Sequence, residues 1–190
     1  MSALATPRSN NESDTRDRIL RVARDLLQTR SYLGFSFQDI ADQVGIRKAS
    51  LYHHFVSKEV LGVEVIRVAT QQFKDWTATL TGTPQDKLNA YFTMYRKALR
   101  AGSGVCPAGS LAPGWDNIDE ALRQAAREIR GVQILWLAGV MGGLRGKAAA
   151  AVTPAAVFAG CQGALVSARM TGQPADFDEA VAPLKGALGL

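Results

Sequence analysis

The stretch FQDIADQVGIRKASLYHHF, Phe37 to Phe55, sets two short helical patterns on either side of one glycine, which is the arithmetic of a helix-turn-helix. Phe37, Ile40, Ala41 and Val44 recur at three- and four-residue spacing behind Ser36, a residue suited to cap a helix start. Gly45 supplies the backbone freedom that a tight turn needs. Past the turn, Leu51 and Phe55 lie four apart and face inward with Ile46, so Arg47, Lys48, Ser50 and His54 face outward. Arginine and lysine bond guanine edges or phosphate, whereas serine, tyrosine and histidine suit phosphate oxygens. On spacing alone, an ordinary helical hairpin with a solvated basic face fits as well.

The rest of the chain is read as helical too, because no segment sustains two-residue alternation between hairpin turns. A first helix from about Thr15 to Gln28 carries Ile19, Ala23, Leu26 and Leu27 on one stripe. Ser57 opens a long helix to about Trp76, and Thr83 followed by Pro84 and Asp86 opens the next. Asn117 with Glu120, Thr153 with Pro154, and Asp176 with Glu179 mark three more starts. The expected fold is all-α: a three-helix head, a connecting long helix, and helices near 84–101, 117–141, 153–171 and 176–188. No internal repeat is visible.

Composition narrows the classes of function without choosing one. With 22 Lys and Arg against 17 Asp and Glu the net charge is +5, which permits an anionic partner. Residues 1–60 hold nine basic and seven acidic side chains, so a nucleic-acid surface has to come from placement on a face. Cys106 and Cys161 lie far apart with no CxxC pair or zinc spacing, which suits a reducing cytoplasm and predicts no metal and no cofactor. The opening MSALATPRSNNESD has no apolar core and reads as a flexible arm, residues 1–13; the apolar runs nearer the other end are too short or too interrupted to span a bilayer. There is no nucleophile elbow, phosphate loop, paired carboxylates or Cys-His-acid set, so no catalytic residue is expected and the chain is read as no enzyme.

The segments TRDRILRVARDLL and FSFQDIADQVGIRKASLYHHFVSKEVL resemble the N-terminal domain of the TetR family of bacterial transcriptional regulators, with GIRKASLYHHFVSKE carrying the family pattern. The resemblance covers residues 14–74, with the helix-turn-helix at 37–56, and leaves 75–190 as an effector-binding and dimerisation domain. It implies that Ser36 caps its helix near phosphate, that Arg47, Lys48 and Ser50 lie at the DNA surface, and that Tyr52, His53 and Lys58 contact the DNA backbone. One position departs: where the family usually has glycine after the first helix, this chain has Ser31, which would be strained if it must take positive φ.

A single recognition helix covers only a few base pairs, so a two-fold partner on a near-palindromic operator is the physical expectation. Ala156, Gly160, Gly163, Ala164 and Ser167 form a small-residue strip on which another helix can approach closely, and Phe177, Val181 and Leu184 add apolar bulk. The same strip suits packing within one chain; the family's dimerisation through its last two helices implies a homodimer.

Trp76, Tyr91, Phe92, Tyr95, Cys106, Trp115 and Trp136 concentrate aromatic and thiol content in the middle of the chain. Such a set suits plain core, and the resemblance implies an effector pocket for a small, mostly apolar molecule, with Arg96, Arg100 and Arg127 as nearby cations. The expected function is a cytoplasmic dimeric repressor, released from operator DNA when that effector binds. The alternative is a thiol switch at Cys106, since GVCPAGSLAPGW resembles a turn in family members that sense electrophiles and oxidants, the N-ethylmaleimide-reductase repressor branch. In those a lysine of the penultimate helix supplies a cation, and Arg169 stands at the corresponding place here.

Overall fold

The computed structural model describes residues 9–100, 105–144 and 146–190, and those residues are helical with no strand. Helix α1 (Ser9–Arg30) buries Ile19, Ala23, Leu26 and Leu27 as their spacing predicts. It begins well before Thr15, so residues 9–13 of the expected flexible arm are its first turns and residues 1–8 lie outside the described chain. Glu12 there sits where the helix dipole favours negative charge.

Beyond α1 the chain passes Ser31 at φ 58 and ψ 171 into a 3₁₀ turn, Tyr32–Gly34. That backbone region is close to glycine-only. Helix α2 (Phe37–Val44) starts in a capping box: the Ser36 hydroxyl accepts from the Asp39 N–H, and the Asp39 carboxylate accepts from the Ser36 N–H at 2.7 Å. Gly45, at φ 76, ends it, and the Ile46 N–H reaches back to the Ala41 carbonyl, so the chain turns sharply into α3 (Lys48–His54). Ser57 caps α4 (Lys58–Thr79) by accepting from the Val60 N–H.

Helix α5 (Pro84–Arg100) opens with a second reciprocal box between Thr83 and Asp86. The Cys106 segment then leads into 3₁₀ turns over Gly109–Asn117, so Asn117 ends an element and Asp119 caps α6 (Glu120–Met141) by accepting from the Leu122 N–H. The five-residue α7 (Lys147–Ala151) precedes α8 (Pro154–Thr171), which starts from Thr153 as its spacing predicts. In α9 (Ala175–Ala187), Asp176 lies inside the first turn and accepts from the Thr171 hydroxyl at 2.6 Å; it pins the α8–α9 corner and does not cap α9.

Two apolar clusters divide the interior, and they do not divide it at residue 75. The first unites α1 to α3 and the first half of α4 with Leu122, Ala125, Ala126 and Ile129 of α6. The second begins at Phe73 and gathers α5, the later part of α6, α8 and α9. Helix α4 packs along α6 and helix α8 along α9. Gly62 marks the closest approach of the first pair: a Cβ there would lie 3.3 Å from both Leu122 methyls. Helices α4 and α6 thus run between the head and the second cluster as shared beams.

Candidate DNA-binding face and effector cavity

Leu51 and Phe55 of the α3 region are buried in the first cluster, which fixes the rotation of α3 and leaves Arg47, Lys48, Tyr52 and His53 exposed and Ser50 half-buried. Tyr52 rests edge-on against Phe37, with ring centroids 5.1 Å apart, so its phenol is held while its hydroxyl end stays open. The side chains of Arg47, Lys48 and His53 make no hydrogen bond or ion pair among the described residues. Arg18 of α1 donates to the Val44 carbonyl at 2.6 Å and braces the end of α2 just before the turn. The Ser36 hydroxyl donates to Asp39 at 2.6 Å, so it is committed to its cap although it lies at the surface.

Lys58 does not join this face. Its ammonium donates to the Tyr32 carbonyl at 2.6 Å and to the Phe35 carbonyl, and it lies 4.4 and 4.3 Å from the Tyr32 and Phe35 ring centres. Two backbone oxygens and two aromatic faces satisfy it inside the fold, where burial lowers the pKa of the ammonium against the opposing pull of Glu59 and Asp39.

A cavity of about 460 Å³ lies beneath the head, between α1, α4, α5, α6, α8 and the Cys106 segment. Trp76, Tyr95 and Cys106 line it, joined by Phe73, Met94, Ile129 and Leu165, and by polar Arg24, Gln28, Gln72 and Gln133. Tyr91 stands behind this wall, fully buried, with Trp136 stacked on it at 5.6 Å. Phe92 turns to α9, where it lines a separate groove with Phe177 and Val181; Trp115 lies at the surface of another groove, beside Gly163. One residue of helical rotation separates Tyr91 from Phe92, and that step is about 100°.

The cations expected at the pocket are engaged elsewhere. Arg96 pairs with Asp178 at 2.7 Å, Arg127 pairs with Glu120, and the side chain of Arg100 lies outside the described residues. Arg169 donates to the Gln28 and Thr29 carbonyls at 3.1 and 2.6 Å, so it caps the C-terminal end of α1 and is not paired with the Cys106 thiol. Cys161 is fully buried, and burial pushes its thiol up to about 12, which suits a packing role.

Comparison with known proteins bears on the head and on the whole fold. The family described as bacterial regulatory proteins, tetR family, matches residues 19–65, from the buried stripe of α1 into α4. A TetR-family transcriptional regulator from Agrobacterium tumefaciens superposes with a TM-score of 0.85 at 28% identity, over 94% of this chain and 99% of that one. The head of this chain matches the tetR family, and the whole chain shares the fold of a TetR-family regulator. The TetR-family repressor KstR2 of Mycolicibacterium smegmatis is 34% identical over 99 residues, 47% of this chain and 45% of that protein. The repressor NemR of Escherichia coli is 26% identical over 87 residues, 44% of each chain, and its reduced form shares the fold at a TM-score of 0.74. These sequence matches span less than half the length of either repressor. The relatives are named as repressors, not as enzymes.

Set on the TetR frame, the small-residue strip of α8 splits. Ala156, Gly163 and Ser167 are exposed, together with Val166 and Met170, the latter 82% exposed. Gly160 faces Leu184 of α9, while Ala164, Phe177 and Val181 are buried within the chain, so these five serve the α8–α9 contact of one protomer. No helix of the described residues is long and apolar enough to cross a membrane.

Gln28 and Gln133 were missed by sequence reasoning. Gln133 had a legible signal: it interrupts the apolar stripe Ile129, Gln133, Leu137 at four-residue spacing. Gln28 had none, because its role comes from a carbonyl distant in sequence, Val105, to which its Nε2 donates at 2.8 Å.

Proposed function

We propose that the chain is a cytoplasmic, DNA-binding transcriptional repressor that works as a homodimer and leaves its operator when a small, mostly apolar molecule fills the cavity. The observation that carries this reading is the α3 face: Arg47, Lys48, Tyr52 and His53 stand outward on a helix that Leu51 and Phe55 lock onto the first cluster. Arg47, Lys48 and Ser50 read or approach the major groove, Tyr52 and His53 grip the backbone, and Ser36 presents the start of α2 to phosphate. The outward strip of α8, with Met170 and Val166 unpaired on it, supports a two-fold partner.

Release has a physical route. Helices α1 and α4 each contribute to the core of the head and to the cavity wall, through Arg24 and Gln28 on one and Ala69, Phe73 and Trp76 on the other. A ligand that prefers a wider cavity shifts both helices and with them the spacing of the two recognition helices. The thiol reading loses the cation assigned to it, because Arg169 is held by α1.

The test is selection of binding sites from random duplex DNA, with the mass of the complex measured by light scattering. A recovered inverted repeat bound by two chains is the expected result, with binding lost in Arg47→Ala/Lys48→Ala. Recovery of no sequence preference sinks the proposal.

A further inference from the structure

Resting on the effector reading above, the network behind the cavity wall narrows the chemistry of what enters it. Gln133 is 3% exposed, and its Oε1 accepts from the Tyr91 hydroxyl at 2.9 Å and from the Tyr95 hydroxyl at 2.8 Å. The Gln162 amide donates to the Tyr95 oxygen at 3.0 Å. With its oxygen receiving that bond, the Tyr95 proton goes to the nearer acceptor, Gln133 Oε1 at 2.8 Å, while the Tyr91 hydroxyl stands 3.3 Å away; were Nε2 turned to the phenols instead, one phenol proton would have no acceptor. An amide's two ends are otherwise interchangeable, but here two phenols and a second amide decide which end faces them. Burial raises both phenols above the ordinary tyrosine range, so both keep the proton that holds Oε1.

The consequence falls on the other end of the amide. Among the described residues Gln133 Nε2 has no hydrogen-bond partner, although Gln133 lines the cavity. Tyr32 Oη is the only side-chain polar atom among the described residues that is both sealed from solvent and unpartnered, so Nε2 reaches open space and is not walled in. A donor held in a dry wall with no acceptor of its own is a site for an acceptor on a ligand. Around it the wall is apolar, with Phe73, Trp76, Met94, Ile129 and Leu165. Arg24, the cation among the described residues of the lining, is already bonded through Nε and Nη2 to Asp25, at 3.2 and 3.1 Å. A carboxylate placed deep in the site would therefore lack a countercharge.

We infer that the cavity takes an uncharged, largely apolar molecule bearing a carbonyl oxygen, and that Gln133 is its specificity-determining residue, with Tyr91 and Tyr95 as positioning residues. A hydrocarbon of the same shape fills the same space but strands the donor, and a site built around one such bond discriminates by roughly tenfold or more.

The experiment is calorimetric titration of the full chain with three probes of one shape: 2-acetylnaphthalene, 2-isopropenylnaphthalene and 2-naphthoate. The ketone should bind about tenfold tighter than the alkene, and tighter than the anion. In Gln133→Met the ketone should fall to the affinity of the alkene while the alkene is unaffected. Because that variant strands two phenols, Tyr91→Phe/Tyr95→Phe is the second arm: it leaves Oε1 unheld and the amide free to turn, and the ketone preference should drop to two- or threefold. Equal binding of ketone and alkene, a tighter anion, or full preference retained in both variants overturns the inference and leaves the effector cavity standing. If none of the three binds, the cavity reading falls with it.

Discussion

Replacing Lys58 with methionine separates two roles that a sequence motif cannot. The side-chain stem is kept, and the ammonium that bonds the Tyr32 and Phe35 carbonyls is lost. Hydrogen bonds from a charged donor are worth about 1.5–3 kcal/mol each, so the gross loss is roughly 3–6 kcal/mol. Two terms reduce it: the site of Lys58 is only half-buried, so water can reach the carbonyls that the ammonium leaves, and the variant no longer buries an ammonium, whose desolvation in the fold lowers its pKa. A net destabilisation of about 2–3 kcal/mol follows, or roughly 5–10 °C in Tm for a chain of this size. The assay pairs thermal melting with operator affinity measured across salt concentration. A phosphate contact adds about 0.9 to the slope of log affinity against log salt, so an inward Lys58 predicts a lower Tm with an unchanged slope. Parent-like melting with a slope reduced by about one per chain would refute the reasoning and place the ammonium on DNA.

Ser31→Gly should stabilise the protein by about 1 kcal/mol, read as a higher urea midpoint, because Ser31 holds a backbone conformation costing about 1–3 kcal/mol for a residue with a Cβ; an unchanged or lower midpoint contradicts that strain. Gly163→Leu, where a Cβ meets nothing within 4 Å of its own chain, should yield monomers by light scattering. Gly160→Leu instead presses on Leu184 and should lower Tm through α8–α9 packing; dimers intact in both variants would remove the proposed interface. Iodoacetamide at pH 8 should spare Cys161 in the folded protein, since a buried thiol pushed up to about 12 holds almost no thiolate there; labelling at the rate of the unfolded chain would contradict that burial.

Much of the fold was legible before any coordinates. Ser36, Ser57, Thr83 and Thr153 cap the helices their spacing announces, because a cap is a bond between residues three apart and needs nothing distant. Asn117 and Asp176 carry similar local signals and fail as caps. Asn117 is drawn into the 3₁₀ turns that end at the buried Ile118, and Asp176 is taken by Thr171 of the neighbouring helix. The outward residues of α3 were legible for the same local reason: once Leu51 and Phe55 are inward, helical geometry sends Arg47, Lys48, Tyr52 and His53 outward. In the cavity the sequence named three wall residues, Trp76, Tyr95 and Cys106, and misplaced Phe92, Trp115 and Trp136. Aromatic content says that a side chain is buried but not against what.

Periodicity and capping are properties of neighbours along the chain, and they carry the all-α architecture and the helix-turn-helix spacing, while the family resemblance rests on the residues of GIRKASLYHHFVSKE. Where a long side chain ends is settled by groups far away in sequence. Lys58 turns in because two carbonyls at the 3₁₀ turn after α1 wait there, and Arg169 leaves Cys106 because the end of α1 offers it two more. The strip on α8 divides into a buried and an open half only once α9 covers Gly160. The orientation of the Gln133 amide depends on residues of α5, α6 and α8 meeting at one point, a convergence that no one-dimensional pattern encodes.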